Sequence, residues 1–135
     1  MRSGIKEDDK HIPMGFGKED VTILAVRKNS RYNKWLEKRF ANNYGGKYVI
    51  IDESEVNNAK YQDTKIYRYI FDQTETSYLN AKTGINDGMN VAVSYSLKDR
   101  STGKLYQIRP VSGAPTAVMR EYLTKLEMIR KNNAK

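Results

Sequence analysis

An α+β domain, with a mixed sheet of about five strands in the order β-α-β-β-β-β-α and two flanking helices, follows from three features of this sequence. The segments VTILAVR (21–27) and KYVIID (47–52) are apolar strands on either side of a helical stripe. MNVAVSYSL (89–97) alternates strictly, and the KDRSTGK after it carries the aspartate, serine and glycine of a hairpin turn. A second helical stripe closes the chain.

Residues 1–18 are polar, hold the single histidine, His11, and contain IPMGFG, where a proline and two glycines oppose regular structure. A flexible N-terminal arm is therefore expected ahead of a single domain over 19–135. Val21 to Arg27 is apolar on both alternating faces, as suits a strand covered from two sides. Asn29 or Ser30 then caps a helix in which Tyr32, Trp35, Leu36, Phe40 and Tyr44 recur at three- and four-residue spacing, and Gly45 and Gly46 stop it. Lys47 to Asp52 follows directly, so the two strands are expected to be parallel and joined by a right-handed crossover.

ESEVNNAKYQDT (53–64) is a polar connection. KIYRYIFD (65–72) is the third strand, and strand alternation predicts Tyr67, Tyr69 and Phe71 on one face with Ile66, Arg68 and Ile70 on the other. QTETSYLNAKTGINDG (73–88) reads as a long loop, a candidate binding element by its length. In the fourth strand Met89, Val91, Val93, Tyr95 and Leu97 form the core face, and Asn90, Ala92, Ser94 and Ser96 the other. LYQIR (105–109) returns antiparallel as the fifth strand. PVSGAPT breaks the sheet, and Pro115 opens a last helix with the stripe Val118, Tyr122, Leu126, Ile129 and with Arg130 and Lys131 near its end.

The 135 residues are enough for one core without staples, and the absence of cysteine excludes disulfides, thiolate metal sites and cysteine nucleophiles. No apolar run approaches the roughly 20 residues that span a bilayer. The start, MRSGIKEDDK, has no apolar centre and is not expected to be a signal peptide. The net charge of +8 is concentrated in residues 21–60 and 101–135, around the two helices. Such a balance favours anionic partners without choosing among them.

Aromatic and basic residues interleave at 65–72, where rings on a sheet can either stack bases or fill a half-buried pleated surface. Packing is the commoner fate, and neither a ribonucleoprotein octapeptide nor a KH-type clamp loop is present. If both helices share one face of the sheet, the other lacks helical cover, and tyrosine suits a face used for association. Tyr67, Tyr69, Tyr78 and Arg68 are the binding candidates on that reading. Arg31, Lys34 and Lys38 form an anion-binding alternative on the first helix, against a solvated helix face as the plain explanation.

Catalytic chemistry has little to work with. His11 lies on the expected arm, and Asp52, Glu53, Glu55, Asp72 and Glu75 follow strands, where solvated loop starts are common. GFGKED precedes the first strand and lacks the third glycine of a dinucleotide fingerprint. No catalytic residue, metal site or cofactor is predicted. The expected function is a non-catalytic binding or interaction domain, with nucleic-acid binding through the basic helix and a tyrosine-bearing sheet face as the alternative. Protein or an anionic glycan or lipid surface ranks ahead of nucleic acid as partner, and a homo-oligomer is compatible with either reading.

IPMGFGKEDVTIL (12–24), KYQDTKIYRYIFD (60–72) and DRSTGKLY (99–106) together resemble small exported or lipoprotein-derived α+β domains of Gram-negative bacteria, whose function is unknown. The resemblance spans residues 12–108 and carries no catalytic motif. It implies an envelope location, whether periplasmic, lipoprotein-derived or secreted, with a signal segment removed; a cytoplasmic location is the alternative.

Overall fold

The computed structural model describes residues 10–77, 91–108, 110–112 and 115–134. Its elements are β1 (Thr22–Val26), α1 (Ser30–Asn43), β2 (Lys47–Ile51), β3 (Tyr69–Ser77), β4 (Val91–Asp99), β5 (Leu105–Gln107), β6 (Val111–Ser112) and α2 (Pro115–Asn133). The mixed sheet runs β2-β1-β3-β4-β5, with β6 also paired to β4. β1 is parallel to both β2 and β3, while β3, β5 and β6 are antiparallel to β4. Among the described residues no helix is long and apolar enough to cross a membrane.

The β1–α1–β2 unit forms as its pattern dictates. The Asn29 side chain accepts from the Tyr32 N–H at 2.9 Å, fixing the first turn of α1, and Tyr32, Leu36 and Phe40 turn inward. The helix stops at Tyr44, but not through a left-handed glycine, since neither Gly45 nor Gly46 has a positive φ. These glycines provide room instead: a Cβ on Gly45 would lie 2.5 Å from the Glu127 carboxylate of α2.

Both helices pack on the same face of the sheet, over a core that joins the α1 stripe to Val118, Tyr122, Leu126 and Ile129 of α2. Phe71 sits at its centre. Its ring meets Phe40 edge-on at 5.1 Å and lies nearly parallel to Tyr95 at 5.7 Å. Burial pushes the Tyr122 phenol far above its ordinary range, and the hydroxyl donates to the His11 carbonyl at 3.1 Å. Tyr122→Phe removes that bond alone and is expected to cost about 1 kcal/mol, read as a lower urea midpoint at unchanged slope.

Several boundaries differ from expectation. From Lys10 onward the segment read as an arm is packed, with Ile12 and Phe16 buried in the core. Gly17, at φ +99°, sits so close to α2 that a Cβ there would come within 2.6 Å of the Arg130 backbone. Asn133 completes the attachment by donating to the Phe16 carbonyl at 2.9 Å.

The third strand begins at Tyr69, because Asp63 gathers residues 63–67 into a turn: its carbonyl accepts from the N–H groups of Ile66 and Tyr67. Alternation starts only after that turn, so Tyr67 does not share a face with Tyr69 and Phe71. The strand then continues to Ser77, pairing residue by residue with β4, so the loop expected from residue 73 is strand for its first five residues. Its polarity disguised it; Gln73 uses its amide to donate to the Tyr95 hydroxyl at 3.0 Å. The rest of that loop, with Tyr78, lies outside the described residues. At the other end Pro110, which has no N–H to give the ladder, separates β5 from β6, where a break in the sheet was expected.

Candidate binding site on the uncovered face

With both helices on one side, the opposite face of the sheet depends on the connection from β2 to β3 for cover. Residues 53–67 fold over β1 and β2, where Leu24, Ile51 and Tyr61 form a second, smaller cluster flanked by Val49, Val56, Tyr67 and Ile70. The Arg100 guanidinium holds this cover down by donating to the carbonyls of Tyr61 at 2.6 Å and Tyr67 at 2.8 Å. Glu55 accepts from the Asp52 N–H at 2.9 Å and closes the first turn. The cover ends above β3.

Beyond it runs a groove of about 300 Å³, with apolar walls from Val26, Val56, Ile70 and Leu105 and polar groups from Glu53, Asn57, Asp72, Ser96 and Lys98. Side chains on this face of β4 are short by alternation. Ser96 is buried at the base of the groove and forms its floor, and Ser94, also buried, lies on the same face of β4 beyond the lining. Ser94 is engaged, accepting from the Gln107 amide at 2.7 Å. Leu105 stands at the rim with half its surface exposed. The Lys28 ammonium, 2.7 Å from Asp72, closes one end. Apolar walls with a few fixed polar groups are the usual makeup of a ligand site, and this volume is at the lower end of such sites.

A larger hollow of about 480 Å³ opens at the other end of the sheet, beside Met14, Lys18, Glu19, Arg68, Tyr69, Asp99 and Tyr106. Its central charges satisfy one another: Arg68 grips Asp99 through two nitrogens at 3.1 and 3.0 Å and lies 3.5 Å from Glu19. That occupation makes it a structural junction.

The residues singled out from sequence are dispersed. Tyr69 faces the helices, buried 5.3 Å from the Phe16 ring, and its phenol is pushed up to about 12 chiefly by desolvation. Tyr67 is half-buried on the opposite face, edge-on to Tyr61 at 5.1 Å. Arg68 is committed to Asp99. Arg31, Lys34 and Lys38 are exposed on α1, across the sheet from Tyr67, and the Lys38 ammonium lies 5.1 Å from the Trp35 ring. The cations and tyrosines of the nucleic-acid reading therefore do not share a surface. The strand-end carboxylates are engaged locally, Asp52 with Arg27 at 3.3 Å and Asp72 with Lys28.

Of the groove residues, the sequence points only to Glu53 and Asp72, as strand-end carboxylates. Small side chains at Ser94 and Ser96 were a readable signal, but the wall from residues 53–57 is distant in sequence and has no pattern. The chain matches no family model, no curated protein and no solved structure, so its function is argued from its own residues.

Proposed function

We propose that the chain is a non-catalytic binding domain that takes a protein ligand in the groove on the uncovered sheet face. The observation that carries this is the juxtaposition of exposed Leu105 and the apolar walls with the short, buried Ser96 at the floor. An extended peptide fits that shape: one apolar side chain fills the space above Ser96, while Asn57 and Lys98 offer hydrogen bonds at the rim. The groove offers no positive surplus to draw a polyanion, because Glu53 and Asp72 are matched by Lys98 and by the Lys28 ammonium that meets Asp72 at its end. The envelope location implied by the resemblance belongs to this proposal and suits a binding role; fractionation that finds the native protein only in the cytosol would remove it.

The test is a titration of the labelled protein with a library of extended peptides, followed by backbone amide shifts. Binding is expected to move Ile70, Ser96, Lys98 and Leu105, and Leu105→Glu is expected to weaken it at least about tenfold by placing a charge on the apolar rim. Thermal stability should change little, since Leu105 is half exposed. Shifts confined to the outer face of α1, or none with any peptide, would defeat the reading.

A further inference from the structure

β2 stands at the end of the sheet, and among the described residues no strand pairs with its outer edge. The ladder to β1 shows which of its groups are left over. The Ile51 carbonyl accepts from the Arg27 N–H at 2.8 Å, so the two-residue repeat of a parallel ladder turns the backbone of Val49 toward β1 as well. The N–H and C=O groups of Tyr48 and Ile50 then point outward, and among the described residues nothing bonds to them. Edge strands are ordinarily blunted by proline, a bulge or inward-pointing charge. KYVII has none of these; its one charge, Lys47, stands at the very start.

We infer that this edge pairs with the same edge of a second copy, antiparallel about a two-fold axis at Val49, to make one continuous sheet across a homodimer. The register follows from the geometry. Tyr48 of one copy stands opposite Ile50 of the other, and because both point their backbone groups outward, each such pair exchanges two hydrogen bonds. Their side chains meet on the helix-bearing face, an aromatic–β-branched pair of the kind that stabilises antiparallel sheets, and the two Val49 side chains meet on the other face.

Charge supports a second copy as the occupant. Antiparallel pairing carries Lys47 of each copy, which meets Asp20 of its own chain at 2.7 Å, alongside Asp52 and Glu53 of the other. Since all three are exposed, these surface pairs can be shared or exchanged across the edge. The helices permit it too. Asn43 of α1 contacts Thr124 of α2 at 3.5 Å, and at about 100° per residue the exposed Glu37 and Ala41 fall on the opposite flank of α1, the one nearer the β2 edge. Lys34, about 20° from Ala41, shares that flank, so a small residue with one ammonium and one carboxylate from each copy faces the two-fold axis, while Arg31 and Lys38 point elsewhere. The contact is short and the association correspondingly weak, and of the groove residues it touches only Glu53.

Sedimentation velocity between about 10 µM and about 1 mM is expected to show a monomer–dimer equilibrium, with Lys47→Glu weakening it about tenfold by bringing carboxylates together. Amide exchange on the full chain gives the residue-level test: the Tyr48 and Ile50 N–H groups should become protected as concentration rises. A monomer throughout would overturn the inference. So would a dimer in which those two amides exchange freely, or protection independent of concentration, which would mean that another part of the same chain covers the edge.

Discussion

Asp99→Ala is expected to lower the free energy of unfolding by about 3 kcal/mol, the low end for removing one partner of a buried ion pair. The Asp99 side chain is 4% exposed and accepts from Arg68 Nε and Nη2, from the Ser101 N–H and from the Ser101 hydroxyl at 2.6 Å. Its backbone closes the β4–β5 turn, with the Gly103 N–H donating to its carbonyl at 2.7 Å. One residue thus ties the start of β3 to the far hairpin. Alanine leaves the Arg68 guanidinium with only Glu19, 3.5 Å away, as a carboxylate partner; because Arg68 retains 27% exposure, water recovers part of the loss.

The same group sets an acid limb of stability. Burial alone would raise the Asp99 pKa, but the hydrogen bonds from Arg68 and Ser101 outweigh it and hold the carboxyl below its ordinary range. A carboxyl depressed in the folded state contributes stability that is complete above its unfolded value, roughly 4, and is lost as pH falls through the lower folded value. Urea midpoints of the parent and Asp99→Ala proteins should therefore differ most near neutrality and converge on acidification below about pH 4. A gap that stays constant down to about pH 2 would show that the carboxylate charge contributes nothing.

Local signals carried the elements that form locally. Asn29 with the α1 stripe, the run KYVIID and the Asp99-to-Gly103 turn each contain their own instructions, and Gly103 takes up a φ of +81° as a hairpin glycine does. Elsewhere tertiary partners decide the outcome. Nothing around Asp63 announces that its turn delays the strand, and QTETS becomes strand because β4 lies beside it. The tyrosines were ambiguous for the same reason: a ring between basic residues looks alike in a sheet interior and on a binding surface. Tyr69 went inside and Tyr67 to the opposite face, separated by a turn of the backbone rather than by composition. The groove was the least readable feature, since its floor, rim and wall come from β4, β5 and the 53–57 turn.

Phe16→Ala is expected to have the largest effect, a loss of about 3–4 kcal/mol from deleting a fully buried ring. The residue lies in a stretch whose proline and glycines suggest an arm, and no periodicity marks it as core. Yet Phe16 is 1% exposed, packs on Tyr69 at 5.3 Å and is held between a glycine pressed on Arg130 and a carbonyl bonded to Asn133. Glycine is required there because Gly17 has both the left-handed backbone and the close approach to α2, so the features that looked like flexibility are the conditions for docking. The ring also contacts the edge of the core that Tyr69 and the Arg68–Asp99 junction complete, so its loss should loosen α2 and the start of β3 together. Urea unfolding should show a midpoint lowered in proportion, with amide protection falling in both elements. A change below about 0.5 kcal/mol, the range of a surface substitution, would mean that the segment is an arm after all and that the core closes without it.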